Sequence, residues 1–206
     1  MTKKLNIQMN GRTDEFQTPK IAIAPLLPFL KKEWVIWECA WGGGLLAEHL
    51  KEENFQVIGN TNDDFFDENP NFDCVVTNPP YSKKYEFLKR CYDLKKPFAL
   101  LMPLSTLEGK KRGELYAKYG IQLIIPNKRI NFITPSGKGS GAWFQVAWFT
   151  WGLKLPKDLL FINLEESARN FTLTPSQKSE GNIIGIKLNS VPNLLGGVQL
   201  NAGGLK

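Results

Sequence analysis

Phe72-Asp73-Cys74-Val75-Val76-Thr77-Asn78-Pro79-Pro80-Tyr81 begins as a short apolar, β-branched run and ends in a turn. Residues 73–77 read as a buried strand, because a run of this length and composition fits the interior of a sheet. Asn78-Pro79-Pro80-Tyr81 then stands where a parallel strand ends, the edge at which open α/β sheets bind ligands. Two successive prolines fix φ and remove two backbone donors. What remains is a stiff turn with free carbonyls, one amide side chain and one aromatic ring. Such a turn can hold a planar amino group. The Asn78 side-chain oxygen and the Pro79 carbonyl accept its two N–H bonds, and the Tyr81 ring stacks on the attached base.

Working outward, strands alternate with helices. Residues 34–38 read as a first strand, 45–53 as a helix and 55–59 as a second strand. A helix over 82–93, a buried strand over 98–102 and a charged amphipathic helix over 107–119 follow the turn. Residues 121–125 and 143–151 read as two further strands, joined by 126–142. Upstream, the apolar segment 20–31 carries Pro25 and Pro28 and reads as a broken helix. Alternation of this kind implies a mostly parallel, doubly wound α/β sheet. The last two strands are expected to supply an antiparallel edge strand. Beyond about residue 165 the chain turns rich in Asn, Gly, Ser and Leu. The organisation expected is a domain over 1–164 and a tail over 165–206 that is loosely packed or partly ordered, in which 183–186 could add a strand.

The composition bounds the function. The 206 residues are 42% hydrophobic and 22% charged, a globular balance sufficient for one sizeable core. No apolar run is long enough for a membrane span and the N-terminus lacks a signal-peptide core, so the expected location is the cytoplasm. Cys39, Cys74 and Cys91 show no metal-ligand spacing and read as buried free thiols. The lone histidine, His49, argues against a zinc site and against nucleophilic catalysis by a Ser-His or Cys-His pair. The net charge of +6 favours a polyanionic partner. Most Lys and Arg pairs read as solvated helix faces; Lys83-Lys84 and Lys128-Arg129 stand apart because they flank the turn.

Glu38-Cys39-Ala40-Trp41-Gly42-Gly43-Gly44 leaves the first strand and enters a helix. Glycines let the backbone turn sharply and approach a ligand closely. The free N–H groups of a helix N-terminus then suit a carboxylate. The spacing is not Gly-x-Gly-x-x-Gly, which disfavours a dinucleotide.

With this loop about one crossover upstream of Asn78-Pro79-Pro80-Tyr81, the chain resembles the S-adenosylmethionine-dependent amino methyltransferases that carry the Asn-Pro-Pro-Tyr signature. It is most similar to small prokaryotic or phage-type DNA adenine-N6 methyltransferases. The resemblance covers residues 12–163 and implies a Rossmann-like class I methyltransferase fold. It also implies S-adenosyl-L-methionine as cofactor, with Glu38 at its amino end and Ala40, Gly42 and Gly44 in the cradling loop. Asp14-Glu15-Phe16-Gln17-Thr18-Pro19 resembles the segment that closes over the cofactor, which assigns Phe16, Thr18 and Pro19 to that site. Asp64-Phe65-Phe66 resembles the family's Asp-Phe-Phe, which places Asp64 at the cofactor's adenine amino group and Phe65 against its ring. Asn78 borders both cofactor and target.

The chain departs from the family at one place. Where an acidic residue usually follows the second strand to bind the ribose, Gly59-Asn60-Thr61-Asn62 stands here. The connection to Asp64 is also short, leaving little room for a helix or a third strand. Asn60 can hydrogen-bond the ribose without charge; Asp63 can substitute if the loop folds back.

Pro126-Asn127-Lys128-Arg129-Ile130-Asn131-Phe132 resembles the segment whose aromatic residue packs on an extruded base. The resemblance pairs Phe132 with Tyr81 on the two faces of that base. Lys83, Lys84, Lys128 and Arg129 are the candidate phosphate contacts, which supply affinity without reading sequence. The polar segment 134–142 could close over nucleic acid. Transfer needs no metal and no covalent enzyme intermediate. The partner expected is duplex DNA, with no membrane. No separate recognition domain is expected, and relaxed specificity, a specificity partner or a homo-oligomer is expected in its place. RNA adenine, the glutamine amide of a protein, or a degenerate fold that only binds nucleic acid remain the alternatives.

Overall fold

The computed structural model describes residues 8–9, 12–13, 16–133 and 144–172. The segment 134–142, Asp14 and Glu15, and the tail from 173 onward with its expected strand at 183–186 lie outside these residues. Near the N-terminus β1 (Gln8–Met9) and β2 (Arg12–Thr13) form a short antiparallel ladder. An extended strap over 16–19 leads into α1 (Lys20–Ile23) and a 3-10 turn over Leu27–Phe29. This is the broken helix expected from Pro25 and Pro28, which withhold the N–H bonds that would continue it.

The sheet proper is built from β3 (Val35–Trp37), β4 (Gln56–Ile58), β5 (Cys74–Thr77), β6 (Phe98–Pro103), β7 (Gln122–Pro126), β8 (Val146–Trp151) and β9 (Leu159–Ile162). The helices between them are α2 (Leu45–Glu52), α3 (Lys84–Leu94) and α4 (Lys110–Tyr119), and α5 (Leu164–Thr172) follows β9. The strand order is β4-β3-β5-β6-β8-β7-β9, and only β8 runs against its neighbours. The fold is Rossmann-like: a mostly parallel sheet with helices on both faces.

Alternating side chains of the strands feed two separate cores. Ile36, Cys74, Val76, Ala99, Leu101, Ile124 and Trp148 pack on one face with α1 and α2 residues such as Ile23, Leu46 and Leu50. Trp37, Val75, Phe98, Leu100, Leu123 and Phe149 pack on the other with Phe87, Leu88 and Cys91 of α3. Each large side chain buried in this way contributes about 1.5–3 kcal/mol. The Trp148 indole N–H donates to the Ala22 carbonyl at 2.8 Å, which ties α1 to the middle of the sheet. All three cysteines are buried free thiols.

The connection from β4 to β5 contains no helix among the described residues. Aromatic side chains do its packing. Phe65 stacks on Phe87 at 4.7 Å and lies 5.2 Å from Trp37, while Phe72 approaches Trp37 at 5.0 Å. The Arg90 guanidinium sits 5.3 Å from the Phe65 ring and donates to the Glu68 carbonyl at 2.6 Å. The shortened second crossover is therefore a folded loop that covers the sheet without a helix.

Two features differ from the sequence expectation. The antiparallel strand β8 is not the edge; β7 and then β9 stand outside it. Strand β9 was not expected, because a four-residue apolar run declares no pairing partner and its neighbour β7 lies more than thirty residues upstream. The helix α5 occupies the start of the segment expected to be loosely packed or partly ordered. Its signal was local: the Asn163 side chain accepts the N–H groups of Glu165 at 3.1 Å and Glu166 at 3.2 Å, an N-cap. No helix among the described residues is long and apolar enough to cross a membrane.

The end of β4 is locked to the end of β3 by a close backbone approach. Gly59 has φ of 123°, and a Cβ added there would stand 2.1 Å from the Glu38 carbonyl oxygen. Gly59→Ala is expected to destabilise the protein by at least about 2 kcal/mol in urea unfolding. Gly113 lies in α4 with open space around it. Gly113→Ala is expected to add roughly 0.5–1 kcal/mol in the same assay.

Candidate active site at the switch point of the sheet

Strand β3 is followed in the chain by β4 on one side and, later, by β5 on the other. The order therefore reverses between β3 and β5, and open α/β sheets place ligands in the crevice beyond such a point. Glu38 leaves β3 there and Asn78 leaves β5. The ends of β4, β6 and β7 open on the same edge, since all run parallel to β3 or are related to it through β8.

Glu38 is only 2% exposed. Its Oε1 accepts the Ala40 N–H at 2.9 Å and the hydroxyl of Thr77, a residue with no exposure at all. Burial disfavours the charged carboxylate and pushes its pKa up to about 7; the two hydrogen bonds pull the other way and only partly compensate. The crevice thus contains a buried acid whose charge a cation would stabilise.

The glycine loop turns directly above it. The Trp41 carbonyl accepts the Gly44 N–H at 2.8 Å, and Gly44 takes φ of 85° before its own carbonyl accepts from Glu48 as α2 starts. A Cβ on Gly44 would meet the Trp41 indole nitrogen at 2.8 Å, so glycine is needed both for the backbone angle and for the ring beside it. The Lys51 ammonium lies 5.3 Å from that ring.

The strap crosses this edge. Gln17 and Ile133 exchange backbone hydrogen bonds of 2.9 and 3.0 Å. The Gln17 side chain lies on Gly43, where a Cβ would fall 2.8 Å from its carbonyl oxygen, and that oxygen accepts the Leu45 N–H over a long 3.5 Å. Phe16 offers its carbonyl to Asn78 Nδ2 at 3.4 Å and its ring to Phe132 at 5.9 Å. Thr18 is buried, and Pro19 occupies the position before the first turn of α1.

Asn78 uses one end of its amide on the strap. The other end, Oδ1, is buried and has no hydrogen-bond partner among the described residues. Tyr81 is 6% exposed, with its ring edge-on to Phe144 at 5.5 Å. The Pro80 carbonyl accepts the Lys83 N–H at 2.9 Å, turning the chain into α3. Lys84 donates to the Tyr81 carbonyl at 3.3 Å, and the Lys83 ammonium lies 5.4 Å from the Phe66 ring.

Several expected residues have other immediate duties. Phe132 does not face solvent: it is 1% exposed and packed under Phe16. A base could reach it only after the strap moves. Phe65 is spent in the aromatic packing of the crossover. Asp64 accepts the Phe66 N–H at 2.9 Å and opens a turn. The loop after β4 does fold back: Asp63 accepts from Asn60 Nδ2 at 2.6 Å and from the Asn60 N–H at 3.1 Å. A carboxylate therefore stands at the end of β4 although the adjoining residue is neutral. Lys128 pairs with Glu165 at 2.5 Å on the surface, and Arg129 is exposed beside it.

Two residues of this edge had no role in the sequence reading. Thr77 was legible only as the last residue of a buried strand, yet a polar residue in that place needs a partner. Gln17 lay inside the recognised upstream segment, but its contact with Gly43 depends on long-range folding.

No family model and no curated protein matches this chain. Solved structures are similar to it in fold. A dimethyladenosine transferase from Plasmodium falciparum matches 66% of this chain and 62% of its own at 13% identity, with a TM-score of 0.38. A chain from a type I restriction–modification system matches 70% of this chain and 43% of its own at 14% identity, with a TM-score of 0.45. A precorrin-6y C5,15-methyltransferase from Geobacter metallireducens matches 67% of this chain and 93% of its own at 14% identity, with a TM-score of 0.37. Likeness at this level concerns the course of the sheet, and the chemistry rests on the residues.

The raised pKa of Glu38 has a defined sign. An acid that binds its proton more tightly folded than unfolded imposes no penalty below about pH 4.5 and its full penalty above about 7. Stability from this group is therefore lost as pH rises between those values, by an amount on the order of 3 kcal/mol. Denaturant midpoints of wild type and Glu38→Gln, compared from pH 4.5 to 8, should diverge in that window, with the variant flatter. Parallel curves would mean that Glu38 does not titrate there.

Proposed function

We propose that this chain is an S-adenosylmethionine-dependent methyltransferase that modifies an amino group, with the N6 amino group of adenine in DNA as the preferred target. The observation that carries the reading is the buried, unpartnered Oδ1 of Asn78 at the end of β5. A buried acceptor without a donor costs roughly 1–3 kcal/mol. That cost has a purpose if the donor arrives with the substrate.

The residues fit the cofactor. The buried acid Glu38 suits an ammonium, and the N–H groups at the start of α2 suit a carboxylate, so Glu38, Ala40, Gly42 and Gly44 would hold the amino-acid part. Asp63, drawn back onto Asn60, would supply the charge toward the ribose. When bound, S-adenosyl-L-methionine supplies a methyl group already activated by its sulfonium sulfur.

The chain's own residues then act on the target. The amino nitrogen of adenine is a poor nucleophile because its lone pair is delocalised into the ring. Asn78 Oδ1 and the Pro79 carbonyl accept its two N–H bonds and favour a pyramidal, more nucleophilic nitrogen. Two prolines keep these acceptors from moving, so orientation is the main contribution of the site. Tyr81 and, once the strap is displaced, Phe132 would stack on the extruded base. Lys83, Lys84, Lys128 and Arg129 would contact phosphate.

Calorimetric titration of S-adenosylmethionine, with and without unmethylated duplex DNA, is the first test. Micromolar binding supports the reading; no heat in either case, with DNA binding intact, supports a binding-only role. Asn78→Ala is expected to abolish methyl transfer while leaving cofactor affinity within a few-fold. Equal loss of both would remove the assigned role. Comparing DNA, RNA and glutamine-containing peptide as methyl acceptors separates the alternatives. Arg129→Ala should weaken DNA binding uniformly across sequences and reduce the salt slope by about one; an unchanged slope would place Arg129 off the phosphate path.

A further inference from the structure

The cradle over the glycine loop is filled by the chain itself. The Gln17 amide lies flat on Gly42 and Gly43: a Cβ at Gly43 would come within 2.8–2.9 Å of its Cδ, Oε1 and Nε2, and one at Gly42 within 3.3 Å of Nε2. Gln17 Oε1 faces the Leu45 N–H at the first turn of α2, one of the donors that a ligand carboxylate would use. The same two residues also close the target side. The Phe16 carbonyl holds Asn78 Nδ2, and the Phe16 ring covers Phe132. Among the described residues one bridge, to Ile133, secures the strap there.

We infer that Phe16–Gln17 is an autoinhibitory latch: the Gln17 amide occupies the place of the cofactor's carboxylate, and its displacement frees Asn78 and Phe132 for the target. The inference rests on the cofactor reading given above. The physical reason for a latch of this kind is that the buried polar groups of this edge need hydrogen-bond partners. Gln17 satisfies the start of α2, and Phe16 satisfies half of the Asn78 amide. The bond at 3.5 Å is long, so the latch is weak by construction and a charged carboxylate at the helix N-terminus outcompetes it. Because one strap covers both halves, binding at the cradle and binding at the turn are positively coupled through it.

The latch makes a prediction opposite to that of a ligand residue. A protein whose competent state is partly closed binds with an affinity reduced by the open fraction. Gln17→Ala removes the competing amide and should tighten S-adenosylmethionine binding about 3- to 10-fold, while adenosine, which lacks the carboxylate, binds unchanged. Weaker or unchanged S-adenosylmethionine binding in the variant overturns the latch. Amide hydrogen exchange on the ligand-free full chain gives an independent readout. The backbone N–H groups of Leu45 and Ile133 should exchange faster in Gln17→Ala than in wild type, with the N–H groups of β6 unaffected as a control for global unfolding. Equal exchange at Leu45 and Ile133 also overturns it. Faster exchange at both amides with no S-adenosylmethionine binding in either protein would show that Gln17 holds the strap but would remove the cofactor reading, and the autoinhibitory role with it.

Discussion

A carboxylate buried between two parallel strands is the constraint on which the rest of this edge depends. Removing Glu38 from water costs several kcal/mol unless its oxygens find donors. The Ala40 N–H supplies one from the loop that follows, and Thr77 supplies another from across the switch point. Those two bonds specify where the glycine loop begins and which residue must end β5. Asn78 follows Thr77 directly, so the hydrogen bond from Thr77 to Glu38 fixes where the turn that carries Asn78 begins. The pKa near 7 that burial imposes leaves the site in need of positive charge, a property of the fold before any ligand is considered.

Around that centre, segments distant in sequence converge because parallel strands all end on one edge. The glycine loop, the folded-back Asn60–Asp63 turn, the Asn-Pro-Pro-Tyr turn and the segment after β7 each leave a different strand. The strap from the N-terminal side crosses three of them. Its bridge to Ile133, its carbonyl to Asn78 and its side chain on Gly43 make it the piece whose movement changes the whole site. None of these bonds is strong alone. The two side-chain bonds are long, at 3.4 and 3.5 Å, and segments held by few bonds open locally at low cost, the class from which functional lids come.

The aromatic residues serve two different ends. In the β4–β5 connection Phe65 and Phe72, packed on Trp37 of β3 and Phe87 of α3, take the place of a helix over the sheet, and Arg90 closes the cluster from outside. At the switch-point edge Tyr81 and Phe144, and Phe16 and Phe132, shield one another in pairs. The first set is fully committed to packing. In the second set the Phe16–Phe132 pair is held across the strap, so it can be re-partnered when the strap moves.

By itself the sequence determined the alternation of strands and helices, the turn at 78–81 and the glycine loop after β3, because each follows from local rules: periodicity, fixed φ at proline, and the freedom of glycine at the loop. It also marked the short connection from Gly59 to Asp64, which leaves little room for a crossover helix. Tertiary structure alone decided that β8 is inserted between β6 and β7, that Leu159–Ile162 pairs beside β7, that Phe132 is buried under Phe16, and that Gln17 rests on Gly43. The physical reason is common to all four. Each is set by contact between segments far apart along the chain, where a short apolar run or a single polar side chain has many possible partners and only the packed whole selects one.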